Sequence, residues 1–261
     1  MAKKGKKGGD KNNSESAAVK ESDAALPEKT VLEKLPKDVQ EKLKSIKTKL
    51  DKFQKKILEK FDNYIVGITL LPPPKFAEQQ QDVQQQGPQQ PADKDKISVL
   101  VLVDDSDSKK MSKFELKDKL IVIMSNIAKE IDKNLIPQVI IISELWQNCY
   151  DAKYEILQLI ALSAPIFDRG MLAAIKIAEI HKTMVLKKFE KYIVSYVLAG
   201  SLVQGRATPS SDIDVWIVID DTDVKKMTRA ELKDKLRAII IGIGIEAGEL
   251  TGIKNKLNIQ V

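Results

Sequence analysis

Asp212 and Asp214 stand two residues apart in the run Ser211-Asp212-Ile213-Asp214-Val215-Trp216-Ile217-Val218-Ile219. Side chains on a strand alternate between faces, so two carboxylates at this spacing project to one side. Ile213, Val215, Ile217 and Ile219 take the other side, where an apolar layer must cover them. Paired carboxylates make a hard-oxygen site suited to Mg²⁺, which takes one or two carboxylates and leaves its remaining positions to water and phosphate oxygens. Upstream, Gly200-Ser201 closes the apolar run Tyr196-Val197-Leu198-Ala199. Glycine lets backbone approach a ligand closely, and a helix starting at Ser201 would aim its free N–H groups at an anion. A phosphate cradle joined to a metal platform by one short connection is what phosphoryl or nucleotidyl transfer needs, because that chemistry rests on positioning and charge neutralisation.

Positioning these groups takes a strand ending at Ala199, a tight turn and short helix from Ser201, and a second strand opening at Asp212. Taken in order, Gly200-Ser201, Gly205 and Ser211-Asp212-Ile213-Asp214 resemble the signature of the DNA polymerase β-like nucleotidyltransferase superfamily, closest to its small prokaryotic stand-alone domains. The resemblance implies that Gly200, Ser201 and Ser211 bind the nucleotide. It assigns catalysis and the metal, a two-ion Mg²⁺ site, to Asp212 and Asp214. The implied reaction moves a nucleoside monophosphate from a nucleoside triphosphate, with ATP the expected donor, to a hydroxyl and releases pyrophosphate. The acceptor stays open among RNA, a protein hydroxyl and a small molecule. Members of the superfamily commonly carry a third carboxylate on a later strand. The candidate strand Leu257-Asn-Ile-Gln-Val261 offers Asn258 and Gln260 instead, so the domain either is truncated, with that acid beyond Val261, or lacks it. The alternative function is a weak or inactive nucleotide-binding scaffold.

An internal repeat adds to this. Val101 to Leu120 mirrors Ile217 to Leu236, and both copies open a helix with a capping box, Ser112 with Glu115 and Thr228 with Glu231. Phe61-Asp-Asn-Tyr-Ile-Val66 likewise mirrors Phe189-Glu-Lys-Tyr-Ile-Val194. The expected fold is α/β of the α+β type: two tandem nucleotidyltransferase-like units, each a small mixed sheet with flanking helices, behind a disordered basic tail. The units are unequal. Pro72 and Pro73 stand where the second unit has Gly200 and Ser201, and proline has no N–H for a phosphate. Lys96 and Ser98 stand where it has Asp212 and Asp214, and a lysine repels Mg²⁺. The first unit is expected to be catalytically dead.

The expected organisation is a tail over 1–30, a degenerate unit over 31–143 with a Gln- and Pro-rich loop at 77–92, a helical connector over 144–170, and the nucleotidyltransferase domain over 171–261. Val39, Leu43, Ile46, Leu50, Phe53 and Ile57 recur at helical spacing after Pro36 and predict an amphipathic helix packed on the first unit. Val139 to Ile142 reads as the first unit's last strand and Ser143 to Ala164 as one or two helices, with Trp146, Tyr150, Ile156 and Leu157 as core, Pro165 to Gly170 as a turn, and Met171 to Phe189 as a helix. Asp93 and Asp95 read as solvated loop acids, and Asp220, Asp221 and Asp223 as turn formers, since the dead unit keeps Asp104, Asp105 and Asp107. Arg206 and Ser210 read as loop residues able to meet a phosphate.

The 261 residues carry a formal charge of +6, no run long and apolar enough for a bilayer, and no apolar segment behind the N-terminal lysines. Cys149 is the single cysteine, which excludes an intramolecular disulfide and points to a reducing cytoplasm. His181 is the single histidine, so a zinc site has no ligand set to draw on and a packing role is expected.

Overall fold

The computed structural model describes residues 36–73, 96–108, 111–222, 224, 226–254 and 256–261. The basic tail, the Gln- and Pro-rich loop, Asp93, Asp95 and Asp223 lie outside the described residues. Helix α1 (Lys37–Phe61) follows Pro36 and buries Leu50, Phe53 and Ile57, the core end of its apolar stripe. A single 3₁₀ turn leads into strand β1 (Ile65–Leu70), followed by β2 (Ile97–Val103), helix α2 (Lys113–Ile131) and β3 (Leu135–Ile141). Next come helices α3 (Ile142–Tyr150) and α4 (Glu155–Leu162), strand β4 (Ala164–Asp168) and helix α5 (Met171–Phe189). Strands β5 (Ile193–Ala199) and β6 (Ile213–Ile219), helix α6 (Arg229–Thr251) and strand β7 (Leu257–Gln260) complete the chain.

Two mixed sheets result, in the orders β3-β2-β1-β4 and β5-β6-β7. Parallel neighbours need a crossover, and α2 supplies it between β2 and β3 as α6 does between β6 and β7. Both crossover helices start from the expected caps: Ser112 Oγ accepts from Glu115 N and Thr228 Oγ1 from Glu231 N, each at 3.2 Å. The order helix, strand, antiparallel strand, helix, parallel strand thus occurs over 37–141 and again over 171–260. Details repeat as well. The register slips between Ile65 and Gly67 and between Ile193 and Ser195. The amides of Asp104 and Asp220 donate to Tyr64 O and Tyr192 O, both at 2.8 Å.

Three expectations are corrected. The turn expected from Pro165 is strand β4, which pairs antiparallel with β1. Proline is tolerated there because β4 is an edge strand, and Ile166 and Phe167 gain cover against the first core. Ile142, expected to close β3, opens α3 instead, because Asp105 accepts from the Ser143 amide at 3.0 Å and its hydroxyl at 2.5 Å. Tyr150 is exposed rather than core, since it lies at the last residue of α3, past the face that buries Leu145 and Trp146.

Hydrophobic cover decides how the layers stack. One core fills the space between α1, α2 and one face of the first sheet, with Phe53, Ile57, Val99, Val101 and Met124 at its centre. The second core joins the opposite face of that sheet to α3, α4, α5, α6 and the Ile213-Val215-Ile217 face of β6. Among the described residues, no helix is long and apolar enough to cross a membrane.

His181 lies fully buried in the second core. Its Nε2 sits 3.1 Å from the carbonyl of Ile240, which can only accept, so Nε2 carries the proton and Nδ1 accepts from the Tyr196 hydroxyl at 2.9 Å. Burial pushes the imidazole below its ordinary value of 6.5, outweighing the carbonyl contact, and burial pushes the Tyr196 hydroxyl up. A group held neutral in the fold contributes stability that is full above its unfolded pKa and is lost as pH falls toward the folded one. Thermal melting should therefore weaken below a pH of about 6.5, with a shallower slope in His181→Gln, itself less stable at neutral pH by about 1–3 kcal/mol. Parallel slopes in the two proteins would exclude His181 as the source.

Candidate functional site

The site is built where β5 ends and β6 and β7 begin. Antiparallel and parallel pairing set Ala199, Asp214 and Asn258 side by side across the second sheet. Gly200 turns the chain out of β5 at φ +72, and Gly205 at φ +70 turns it again. The helix expected after Ser201 is instead a succession of turns, tied by Gln204 N to Gly200 O at 3.3 Å, Gly205 N to Leu202 O at 3.1 Å and Arg206 N to Ser201 O at 2.9 Å. A regular helix would run through the two left-handed glycines, while the turns let Leu202 plunge into the second core and anchor the loop.

Asp214 is held on two sides. A Cβ on Gly200 would fall 2.1 Å from Asp214 Oδ2, so the carboxylate lies directly against the glycine. On its other side Asn258 Nδ2 donates to Asp214 Oδ1 at 2.9 Å, and Gln260 Nε2 leans on Asn258 Oδ1 at 3.4 Å. Asp212 is exposed just before β6, while Ile213, Val215 and Ile217 are buried, which is the alternation expected. Gly200, Ser201, Asp212 and Asp214 therefore gather at one end of the sheet. Ser211 stands beside Asp212 on the cleft wall, and its hydroxyl accepts from Thr208 N at 2.9 Å and meets Thr208 Oγ1 at 3.0 Å, which closes the 208–211 turn. Arg206 and Ser210 are exposed on the same loop.

A cleft of about 440 Å³ opens beside Asp212. The β4 end, the first turns of α5, residues 207–213 and residues 251–254 enclose it, with Lys176, Lys254 and Lys256 among its walls. Lys256 Nζ donates to Pro209 O and ties the two loops together. Lys176 donates to Ser163 O at 3.3 Å, and its partial burial pulls its ammonium below the usual lysine range. Asp168 closes the floor and accepts from the amides of Gly170 at 2.8 Å, Leu172 at 3.0 Å and Ala173 at 2.8 Å. Burial pushes this carboxyl up against the opposing pull of those amides. Sequence reasoning missed Lys176, Asp168 and the two loop lysines; the one local signal was an Asp-Arg-Gly ahead of a helix, a cap pattern.

The residues fit a divalent cation in part. Two carboxylates are hard donors, but Asn258 turns its Nδ2 and not its oxygen toward Asp214, and among the described residues no three His, Cys, Asp or Glu side chains come close enough to hold a metal by themselves. Cys149 is half-buried and its thiol is pushed up by burial, which suits packing over nucleophilic work. In the first sheet Ser98 pairs with Ile136, and Pro72 follows the Leu71 amide that donates to Ser98 O at 2.9 Å, so no carboxylate stands at that position.

The glycine contact is testable without any activity. Gly200→Ala should cost about 1–3 kcal/mol in urea unfolding, from left-handed strain and the Asp214 clash. Gly242→Ala on α6, where a Cβ meets nothing within 4 Å, should stabilise by up to about 1 kcal/mol. Equal effects from the two would refute the Gly200–Asp214 contact.

Comparison with known proteins adds one match. Residues 178–254 fit the family model described as the nucleotidyltransferase domain, a span that runs from within α5 through Gly200, Asp212 and Asp214 to the end of α6. No curated protein and no solved structure matches the chain. Residues 178–254 thus carry a nucleotidyltransferase domain, consistent with the DNA polymerase β-like superfamily that Gly200-Ser201 and Asp212-Ile213-Asp214 resemble.

Proposed function

We propose that this domain transfers a nucleoside monophosphate from a nucleoside triphosphate, ATP first among them, to a hydroxyl acceptor and releases pyrophosphate. The observation that supports it best is the Asp214 carboxylate lying on Gly200 with Asp212 at the same strand end, inside the matched span. Gly200 and Ser201 would seat the triphosphate at the partly buried turn, while Asp212 and Asp214 would hold Mg²⁺. Bound there, Mg²⁺ lowers the charge on the transferring phosphoryl and on the attacking oxygen. Asp214 is already oriented by Gly200 and Asn258, so little ordering remains to be done when the reactants arrive. The lysines of the neighbouring cleft suit a negatively charged reactant, and the acceptor stays among RNA, a protein hydroxyl and a small molecule. Ser211 serves this site by shaping the loop.

The first unit, in this reading, is a degenerate copy of the second. The repeated element order, register slip and cap bonds support a duplication, and Pro72, Pro73, Lys96 and Ser98 leave that copy without the phosphate turn or the acids. With one cysteine and no spanning helix among the described residues, a reducing cytoplasmic setting suits the protein.

A second reading, a nucleotide-binding scaffold with little turnover, is favoured by one observation. The position beside Asp214 on β7 holds an amide that donates to the metal acid rather than a third carboxylate.

Pyrophosphate release with Mg²⁺ and each triphosphate separates the two. Asp212→Asn and Asp214→Asn should each lower release by at least about 10²-fold with melting unchanged; full activity in either would sink the assignment. Asn258→Asp places a carboxylate where a general base could act and should raise release by about 10²-fold or more. Binding of triphosphate by the wild type, with no release in it or in Asn258→Asp, would establish the scaffold reading.

A further inference from the structure

Among the described residues no element covers the outer face of the second sheet, which is apolar away from the Asp214 end. Val194, Val197, Trp216 and Val218 are all exposed on it, Trp216 at 56 % and Val218 at 49 %. Val197 and Trp216 are register partners, and Val218 is the next position along that face, opposite Ser195. Isolated apolar residues on a surface need no explanation, whereas a contiguous patch beside a candidate active site marks an interaction surface.

The first sheet displays the same face in a covered state. Aligning the register slips and the Asp104 and Asp220 amides sets Val66 against Val194, Thr69 against Val197, Leu100 against Trp216 and Leu102 against Val218. Each counterpart is buried, Leu100 to 3 % exposure and Leu102 to 0 %. Their cover is helical. Ile142, Leu145 and Trp146 of α3 and Leu157 and Ile160 of α4 belong to the same packed cluster as Val66, Leu100 and Leu102. Thr69 Oγ1 donates to Ser163 Oγ, just past α4, at 2.6 Å, and Leu172 of α5 presses on Gly67. At the site end the cover thins: Lys96 is exposed and Ser98 half-buried, at the positions of Asp212 and Asp214.

We propose that the Val194-Val197-Trp216-Val218 face docks an apolar-faced helix pair from a partner polypeptide, seated as α3 and α4 are seated on the first sheet. A second copy of this chain is a poor occupant, since lending its own α3 and α4 would strip Leu100 and Leu102 bare. Helix α6 cannot serve either, because it already covers the opposite face through Ile240, Ile243 and Ala247. Docked in this way, the partner leaves Asp212 and Asp214 reachable and walls the site along Trp216. The inference rests on the geometry of the two sheets and stands whether or not the domain transfers nucleotides.

The test uses the full chain labelled with 5-fluorotryptophan. Its two tryptophans give two fluorine resonances, and Trp216→Phe, an exposed change, assigns them. The probe is an unlabelled synthetic peptide of residues 142–163, the sequence that covers this face on the first sheet. A saturable shift of the Trp216 resonance, loss of its H₂O/D₂O isotope shift, and no change at Trp146 are expected. Val218→Lys should abolish that shift while circular dichroism and melting stay unchanged. An unmoved Trp216 resonance, or a shift that survives Val218→Lys, would overturn the proposal. So would a shift driven by protein concentration alone, which assigns the face to a second copy, or by Mg²⁺ and ATP alone, which assigns it to nucleotide.

Discussion

A sheet has two faces, and each apolar face must be covered. That constraint orders the whole molecule. The first sheet, rich in Ile, Val and Leu on both sides of β1 and β2, is buried on both: α1 and α2 take one face and α3, α4 and α5 the other. Helix α5 then does double service, pressing Leu172 onto Gly67 while Ile175, Ile177 and Val185 join the core beneath β6. Burial at about 25 cal/mol per Å² of apolar surface makes such a shared helix the natural joint between two otherwise similar sheets. The second sheet is covered on one face only, and the acids stand on the face left open.

The site follows from that asymmetry. A carboxylate that is to meet any ligand needs solvent access, and one that is to be oriented needs neighbours. Asp214 has both, with Gly200 and Asn258 as its neighbours and the strand end open above it. The matching position in the first sheet carries Ser98 behind Pro72, half-buried and without a carboxylate, while Leu100 and Leu102 further along the strand lie under helical cover. Two similar folds have thus been driven toward opposite ends of one trade: the first toward burial, the second toward an accessible polar edge.

The buried polar side chains of α5, Glu179 and His181, are both paired. His181 is clamped between a hydroxyl and a carbonyl, and Glu179 meets Lys182 at 2.6 Å on the same helix. The His181 contacts reach β5 and α6 and so hold the rotation of α5 against both, since an unpaired buried polar group costs about 1–3 kcal/mol. The rotation of α5 in turn sets where Lys176 meets the cleft beside Asp212.

Local pattern carried much of this. The period-2 run from Ile213 to Ile219 set the buried and exposed faces of β6, and the capping boxes at Ser112 and Thr228 set the starts of α2 and α6, because alternation and caps are properties of neighbours in sequence. Gly200 with Asp212 and Asp214 was likewise legible, as residue types at fixed spacing. Pairing between distant segments was not. Strand β4 is a five-residue stretch with a proline, and only β1 makes it a strand. Ser201 could be read as opening a helix until Leu202 was seen to be pulled into a core built by residues far along the chain. The cleft lysines and the bare Trp216 face depend on which helix lies over which sheet. Sequence fixes what each segment can be; tertiary packing alone settles which faces meet and which stay open, because burial is shared among residues that the chain keeps far apart.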